Sequence, residues 1–194
     1  MRVIAGRFKG FELKAPKTGT RPTTDRTKEA IFSRLESWGM LGDSHILDLF
    51  AGTGALGIEA LSRGARELVA VESAAPAASL ISAAFAGLRR QRGWERGMAA
   101  RLVRKRAEQF AAGYAAASTE DRFDVIFIDP PYAFATDDCN RLLADLVGGG
   151  LAGDGTVIVL ERSTRSDDPT PPAGWTVTDR RDYGETAVFY IEAE

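Results

Sequence analysis

The chain of 194 residues is long enough for one α/β domain and too short for two full ones. With 44% hydrophobic and 27% charged residues, it has the composition of a soluble globular protein, and no apolar run reaches the roughly 20 residues of a membrane helix. The single cysteine, Cys139, excludes an internal disulfide, and the first ten residues lack a signal-peptide pattern. We therefore expect a cytoplasmic protein.

The formal net charge of −2 hides an uneven distribution. Residues 1–34 carry nine Lys/Arg and three Asp/Glu, a net charge of +6, so the remaining 160 residues carry −8. A basic segment on an acidic body indicates a polyanionic partner that meets one end of the molecule. A solvated, loosely ordered N-terminus would have the same composition, and charge alone leaves both interpretations open.

The N-terminal residues differ in pattern from the rest of the chain. Short strands are predicted at 2–5 and 11–15, on either side of a turn that contains two glycines. A loop rich in Pro and Thr follows, and Thr24 or Asp25 then starts a helix predicted over 26–38. We therefore predict a basic hairpin and loop over residues 1–24, followed by one main domain over 25–194.

Strands and helices alternate through the main domain. The predicted strands are 45–50, 67–71, 101–104, 123–128 and 156–160, and the helices between them are 55–63, 74–88, 107–117 and 137–147. This succession predicts a doubly wound, mostly parallel sheet with its ligand site at the carboxyl ends of the strands. The last two strands, 175–180 and 187–192, predict an antiparallel hairpin at the sheet edge.

A glycine-rich loop follows the first strand of this alternation. Gly52, Gly54 and Gly57 have the G-x-G-x-x-G spacing, and Glu72 ends the next strand, 20 residues past Gly52. This pattern is typical of a dinucleotide site, where the acid binds a ribose. Asp48, however, would repel a pyrophosphate, whereas it would attract the ammonium and sulfonium groups of S-adenosylmethionine. The loop therefore favours S-adenosylmethionine over a dinucleotide without excluding either.

A second motif, Asp129-Pro130-Pro131-Tyr132, ends the strand predicted at 123–128. The two prolines stop the strand and fix the backbone. The Asp129 carboxylate and the Pro130 carbonyl can then both accept hydrogen bonds from an –NH₂ group, and Tyr132 can stack on a planar base. Together with the glycine loop, this motif predicts methyl transfer to an exocyclic amine, with no metal ion required.

The order of the two motifs is that of amino-methyltransferases acting on adenine N6, cytosine N4, guanine N2 or a glutamine amide. Three further segments narrow the resemblance: Met-Arg-Val-Ile-Ala-Gly-Arg-Phe-Lys-Gly at 1–10, Arg-Pro-Thr-Thr-Asp-Arg-Thr-Lys-Glu-Ala-Ile-Phe at 21–32, and Tyr-Gly-Glu-Thr at 183–186. With them the chain resembles, over nearly its whole length, the bacterial 16S rRNA guanine-N2 methyltransferase family.

The resemblance implies a seven-stranded Rossmann-like methyltransferase fold dependent on S-adenosylmethionine, mostly parallel with an antiparallel C-terminal strand, plus the N-terminal hairpin extension. It implies methylation of a guanine N2 in 16S rRNA, within a small-subunit particle, by a monomer that contacts no membrane. The alternatives are an amino-methyltransferase acting on DNA adenine or protein glutamine, a dehydrogenase using a dinucleotide, and a non-catalytic RNA-binding assembly factor.

The resemblance also implies which residues act. The expected cofactor-binding residues are Asp48, Phe50, Ala51, Gly52, Thr53, Gly54, Glu72, Arg106, Ala107 and Asp129. Those expected to hold the base are Asp129, Pro130, Pro131 and Tyr132, and those expected to contact RNA are Arg2, Arg7, Lys9, Arg21, Thr23 and Arg26. Many relatives carry an acid where Arg106 stands, so we expect backbone groups near Arg106 to read the cofactor's adenine. A further basic cluster over residues 89–96 is interpreted as a solvated helix end, with a second RNA contact as the alternative.

Overall fold

The computed structural model describes residues 1–15, 24–114 and 121–194. Two of the predicted RNA contacts, Arg21 and Thr23, lie outside these ranges. The helices are α1 (Asp25–Ser37), α2 (Ala55–Ser62), α3 (Ala75–Leu88), α4 (Ala107–Ala112) and α5 (Thr136–Gly148). The strands are β1 (His45–Leu49), β2 (Glu67–Val71), β3 (Ala99–Val103), β4 (Val125–Ile128), β5 (Val157–Ser163), β6 (Trp175–Tyr183) and β7 (Thr186–Ala193).

The seven strands form one sheet in the order β3-β2-β1-β4-β5-β7-β6. Strand β1 pairs in parallel with both β2 and β4, and β7 is antiparallel to its two neighbours β5 and β6. The predicted fold class is therefore confirmed, including the single antiparallel strand near the C-terminus. Because the strand order reverses between β1 and β4, their carboxyl ends flank the crevice in which such folds bind ligands.

Alternating side chains of the strands supply two cores, one on each face of the sheet. Within β1, Ile46 packs on the face covered by α1, α2, α3 and the N-terminal segment, and Leu47 packs on the face covered by α4 and α5. Both side chains are fully buried, and burial of such a residue stabilises the fold by about 1.5–3 kcal/mol. No helix in the described ranges is long and apolar enough to cross a membrane.

The N-terminal segment is part of the first core rather than a projecting hairpin. Val3, Phe8 and Leu13 are buried in it. The two predicted strands are wrong in extent, because the described segment has only an isolated antiparallel bridge between Arg2 and Glu12. The N–H groups of residues 4, 5 and 8 donate to side chains of α2, which fixes this segment against the helix.

One of those α2 side chains, Glu59, is fully buried and joins three parts of the chain. Its carboxylate accepts hydrogen bonds from the backbone N–H groups of Ile4 (2.9 Å) and Ala5 (3.0 Å). It also forms ion pairs with the buried Lys28 of α1 (3.6 Å) and with Arg63 (2.9 Å). Lys28 therefore neutralises an internal acid, and part of the N-terminal positive charge is not available to a partner.

Other boundaries shift where tertiary pairing overrides the local pattern. Strand β3 begins at Ala99, two residues before the predicted start, because Ala99 and Ala100 pair with the start of β2. Strand β5 extends to Ser163, three residues beyond the prediction, because it pairs with β7 as far as Thr186. Helix α4 ends at Ala112, and the last predicted residues of that helix, 115–117, lie outside the described residues.

Candidate functional site

A cleft of about 1010 Å³ opens at the carboxyl ends of the central strands. Its volume is that of a small-molecule site. The predicted cofactor and base residues that line it are Asp48, Phe50, Ala51, Gly52, Thr53, Glu72, Arg106, Ala107, Asp129, Pro130, Pro131 and Tyr132. Gly54 does not line the cleft: it is buried as the residue that caps the start of α2. The fold therefore brings two motifs that are about 75 residues apart in sequence into one space.

The glycine loop leaves β1 through three residues with left-handed backbone conformations. Phe50, Gly52 and Gly54 have φ values of +58°, +57° and +76°. Gly52 and Gly54 adopt this conformation without steric cost, whereas Phe50 is a non-glycine residue held in a sparsely populated region. The loop therefore turns sharply into α2 at the strand end and leaves the cleft above it open.

The third glycine of the motif serves helix packing. A Cβ atom on Gly57 would lie 2.5 Å from a Leu68 methyl carbon and 3.0 Å from an Asp48 carboxylate oxygen. The backbone N–H of Gly57 donates a hydrogen bond of 2.9 Å to that same oxygen. Gly57 thus allows α2 to approach the sheet closely enough to orient the Asp48 carboxylate.

Asp48 is buried, with only 2% of its surface exposed. Desolvation raises the pKa of its carboxyl group to about 7, against the lowering effect of the Gly57 hydrogen bond, and the negative charges of Asp129 and Glu72 raise it further. In the ligand-free protein this carboxyl group is therefore poised between its neutral and charged forms near neutral pH. A cation placed beside it would favour the charged form.

Glu72, at the end of β2, is fixed by two backbone groups. One carboxylate oxygen accepts from the Gly52 N–H (2.8 Å) and the other accepts from the Ala74 N–H (2.7 Å). Each oxygen keeps a lone pair that can accept a further hydrogen bond from a ribose hydroxyl.

Three carboxylates, Asp48, Glu72 and Asp129, thus face one cleft. S-adenosylmethionine, with its ammonium, sulfonium and ribose hydroxyl groups, fits this set of acceptors. A pyrophosphate does not fit it, because its charge has the same sign as theirs, and the glycine loop is therefore unsuited to a dinucleotide.

The opposite end of the cleft is formed where β3 leads into α4. The Arg106 side chain is exposed and donates a hydrogen bond of 2.8 Å to Glu108, which also lines the cleft. Partial burial has the largest single effect on the pKa of Glu108 and raises it, but the hydrogen bond from Arg106, a backbone hydrogen bond and the charge of Arg106 together outweigh burial, so the pKa is lowered. The sequence reasoning missed Glu108, although an acid two residues from the expected position was visible in the sequence.

The Asp129–Tyr132 motif forms the wall next to the glycine loop. Pro130 is buried, and Tyr132 is 62% exposed at the mouth of the cleft. Beyond it the chain folds back, because the Phe134 N–H donates to the Pro131 carbonyl (2.9 Å). The Phe134 ring then meets Phe50 edge-on, with 5.1 Å between the ring centres. Phe134 carried no sequence signal, since an isolated aromatic residue in a loop has no distinctive pattern.

Two further residues, at the end of β5, line the cleft and were also missed. Glu161 and Arg162 are both buried, and Arg162 lies 3.4 Å from the Thr136 hydroxyl at the start of α5. They were not predicted because the expected strand stopped at residue 160. A buried carboxylate and a buried guanidinium therefore border the space beside Asp129.

The predicted RNA contacts within the described residues occupy different settings. Arg26, at the start of α1, is exposed and lines the cleft. Arg2 and Lys9 are exposed away from it. The Arg7 guanidinium is mostly covered and pairs with Glu95 at 3.1 Å. The structure therefore places one of these side chains at the cleft and leaves the RNA contacts as predictions.

Comparison with known proteins agrees with this geometry. The family model described as "Conserved hypothetical protein 95" matches residues 1–192. The chain is 31% identical to ribosomal RNA small subunit methyltransferase D of Escherichia coli (strain K12), over 100% of this chain and 90% of that protein. It is 29% identical to the protein of the same name from Haemophilus influenzae, over 95% of this chain and 89% of the relative.

Solved structures show the same similarity. The chain superposes on the Escherichia coli protein yhhF, named as a methyltransferase, with a TM-score of 0.82 and 30% identity over 100% of this chain and 98% of that one. It superposes on a Thermus thermophilus protein, TTHA0928, with a TM-score of 0.78 and 32% identity, over 100% and 99% of the two chains. The shared architecture therefore extends over the whole of the chain.

Proposed function

The chain belongs to the family of ribosomal RNA small subunit methyltransferase D. We propose that it methylates the exocyclic N2 of a guanine in 16S rRNA. The observation that carries the proposal is the presence of the Asp129–Tyr132 motif and the acid-lined glycine loop in one cleft. The first offers acceptors for an amine and an aromatic ring for a base, and the second offers acceptors for a cationic cofactor.

S-adenosylmethionine is the cofactor, and when bound it supplies a methyl group already activated by its sulfonium. Asp48 would bind the ammonium, Glu72 the ribose hydroxyls, and the backbone at Arg106 and Ala107 the adenine. These residues would hold the donor at the carboxyl ends of β1, β2 and β3, beside β4, which Asp129 directly follows.

The residues after β4 act on the acceptor. The Asp129 carboxylate and the Pro130 carbonyl would accept hydrogen bonds from the two N2 hydrogens of the base, with Tyr132 stacked on its ring. Holding both hydrogens directs the nitrogen lone pair into the cleft, and such positioning supplies much of the acceleration when the methyl group is already activated. One of these hydrogens leaves as a proton after the N–C bond forms, so a strong general base is unnecessary.

We further propose that the substrate is 16S rRNA within a small-subunit particle and that the protein acts as a monomer. A base can reach Asp129 only after it leaves its stack, and a structured RNA can present a nucleotide in that extruded form. The cofactor and base sides of the cleft are lined by residues of one chain, so one copy suffices for the chemistry.

The proposed function is tested by transfer of labelled methyl from S-adenosylmethionine to unmodified small ribosomal subunits, naked 16S RNA and duplex DNA, with identification of the labelled nucleoside. Label in N2-methylguanosine from the particle is the expected result, and label from naked 16S RNA alone would overturn the particle as the substrate but keep the reaction. Label in DNA would support methyl transfer as the reaction but overturn rRNA as the substrate. Binding of S-adenosylmethionine without transfer to any of the three would overturn the proposed reaction.

Replacement of Tyr132 by alanine is expected to lower kcat/KM for the RNA substrate by about 10–100-fold, because stacking on an aromatic side chain contributes about 1–3 kcal/mol per base. The exposed ring at the mouth of the cleft is the basis for this prediction. Initial rates at limiting RNA measure the effect. Tyr132→Phe keeps the stacking surface and should stay within about threefold of wild type; equal losses in both variants would contradict stacking.

The affinity for S-adenosylmethionine is expected to fall as the pH is lowered through the pKa of Asp48, which is about 7 in the ligand-free protein. The cofactor's ammonium group needs the charged carboxylate, so below this pKa binding must remove a proton. The expected Kd is about tenfold higher at pH 6 than at pH 7.5, which follows from the titration of one linked group. Isothermal titration calorimetry at both pH values measures this change.

Asp48→Asn is the control for this linkage. Its amide keeps an oxygen for the Gly57 N–H but does not titrate, so its Kd for S-adenosylmethionine should be high at both pH values and nearly independent of pH.

The same titration affects the stability of the ligand-free protein. Because the folded-state pKa of Asp48 is raised, the stability that its protonated carboxyl group contributes is full below pH 4 and is lost as the pH rises through 7. The ligand-free Asp48→Asn protein should therefore melt at a higher temperature than wild type at pH 8. A steep pH dependence of the Kd of Asp48→Asn for S-adenosylmethionine would show that another group is responsible for the linkage.

A further inference from the structure

Residues 89–106 carry more concentrated positive charge than the N-terminal segment does. They include eight Lys/Arg and one Asp/Glu, a net charge of +7 within 18 residues. Since the whole chain has a net charge of −2 and residues 1–34 have +6, all remaining residues together carry −15.

Most of these cations are exposed and form no ion pair with another described residue. We define the edge-strand surface as the exposed side chains of Arg90, Arg92, Arg96, Arg101, Arg104 and Lys105. Within the described ranges none of the six forms a salt bridge. By contrast, three N-terminal cations are engaged within the protein, in the pairs Lys28–Glu59, Arg34–Asp179 and Arg7–Glu95.

The fold arranges this surface along one border of the molecule. Strand β3 is the edge strand of the sheet, and its five residues span about 16 Å. The loop before β3 packs on the N-terminal turn: the Phe8 and Trp94 rings stack with 6.2 Å between their centres, and Gly93 lies against the Arg7 backbone. At the other end of β3, Lys105 lines the cleft. The residues of this surface are therefore distributed along the border from the N-terminal turn to the cofactor end of the cleft.

Protection of the sheet edge does not account for so much charge. A single outward Lys or Arg is a common way to block edge-to-edge pairing, and Arg101 alone would serve on β3. Arg90, Arg92 and Arg96 lie in or before the loop, outside the strand. Unpaired like charges so close together repel one another and destabilise the fold. A polyanion bound along the surface would remove that repulsion.

We propose that the edge-strand surface binds the phosphate backbone of the rRNA substrate next to the target nucleotide, as a second RNA contact beyond the N-terminal segment. This inference rests on the proposed function. Strand β4, which Asp129 directly follows, is three strands from β3, a distance of about 14 Å. A nucleotide held at Asp129 can therefore have flanking phosphates over β3. The structure thus changes the sequence interpretation of residues 89–96 from a solvated helix end to part of an RNA-binding surface.

The test uses the double variant Arg92→Gln/Arg101→Gln, which removes one charge from the loop and one from the strand. Binding of naked 16S RNA, measured without cofactor over a range of salt concentrations, should weaken at least about tenfold. The slope of log Kd against log salt should fall by about 1.4, since each lost phosphate contact contributes about 0.7 on single strands. In methyl-transfer assays KM for RNA should rise while kcat and the Kd for S-adenosylmethionine stay within about twofold of wild type.

The matched control is Arg141→Gln/Arg181→Gln, which also removes two positive charges. These arginines are exposed, but each pairs with an acid, Asp138 and Asp179 respectively, and neither lies on the edge-strand surface. The control should keep the wild-type Kd and salt slope. Equal losses of RNA affinity in the two double variants would show that the change in net charge alone weakens binding, and this result would overturn the inference.

Two other results distinguish this inference from the proposed function. If wild type produces N2-methylguanosine and the Arg92/Arg101 variant binds RNA with the wild-type Kd and slope, the edge-strand inference fails and the proposed function stands. If that variant binds naked RNA normally and loses activity only on assembled particles, the surface contacts a ribosomal protein, and the RNA inference is again overturned. Failure of wild type to bind or methylate RNA would overturn both.

Discussion

Replacement of Asp129 by alanine is expected to lower kcat for methyl transfer by about 10²–10³-fold, the usual loss when one positioned group of a catalytic site is removed. Asp129 stands where β4 ends, and its carboxylate faces the cleft beside the glycine loop. In the proposed reaction, the amine of the base would then keep only the Pro130 carbonyl as an acceptor, and its lone pair would no longer be directed into the cleft. Single-turnover transfer of labelled methyl to RNA, with enzyme in excess, measures this step directly.

The loss should be confined to the reaction. Binding of RNA by Asp129→Ala should remain within about threefold of wild type, because the phosphate contacts that we propose lie elsewhere on the protein. Asp129→Asn is the matched variant: its amide oxygen still accepts a hydrogen bond, so its rate should lie between those of wild type and Asp129→Ala. Full turnover by Asp129→Ala would show that the base is held in another way.

Replacement of Glu59 by alanine is expected to lower the free energy of unfolding by about 3–5 kcal/mol, the usual cost of breaking a buried ion pair from one side. The variant leaves Lys28, only 1% exposed, without its buried counterion. It also removes the acceptor for the N–H groups of Ile4 and Ala5. Urea denaturation followed by tryptophan fluorescence measures the change, and Trp94, which stacks on Phe8, reports on the N-terminal segment.

Two further variants separate burial from charge. Glu36 also pairs with Arg63, but its side chain is 48% exposed, so Glu36→Ala should cost less than about 1 kcal/mol. The double variant Lys28→Met/Glu59→Gln keeps an acceptor for the backbone and removes both buried charges, so it should be more stable than Glu59→Ala. A loss below about 1 kcal/mol in Glu59→Ala would mean that water or another group replaces the carboxylate.

The features that the sequence alone determines are those that depend on a few neighbouring residues. The strand–loop–helix around Gly52 and the Asp-Pro-Pro-Tyr stop after β4 are local, because turn geometry and strand termination depend on a few consecutive residues. The alternation of apolar strands with helices determined the sheet class, because parallel strands buried on both faces need a helix at each crossover. From these two signals the glycine loop and the Asp129 motif could be placed at the same edge of the sheet.

The tertiary structure decided everything that depends on long-range pairing. Arg7, Lys28 and Arg34 look like free cations in the sequence, but each pairs with an acid at least 31 positions away. The position of the N-terminal segment depended on Glu59 and Ser62 of α2, which accept hydrogen bonds from its backbone N–H groups. Neither partner can be found from local patterns, because hydrogen bonds and ion pairs form between whichever groups the fold brings together.

The chemistry of the cleft divides in the same way. Sequence named Asp48 as an acid suited to a cationic ligand, but only burial, with Asp129 and Glu72 nearby, raises its pKa to about 7. Glu161 and Arg162 entered the wall of the cleft because β7 pairs with β5 beyond residue 160 and extends that strand. Residue identity was thus determined by the sequence, whereas desolvation and the choice of neighbours, which control protonation and binding, were decided by the packing of the whole chain.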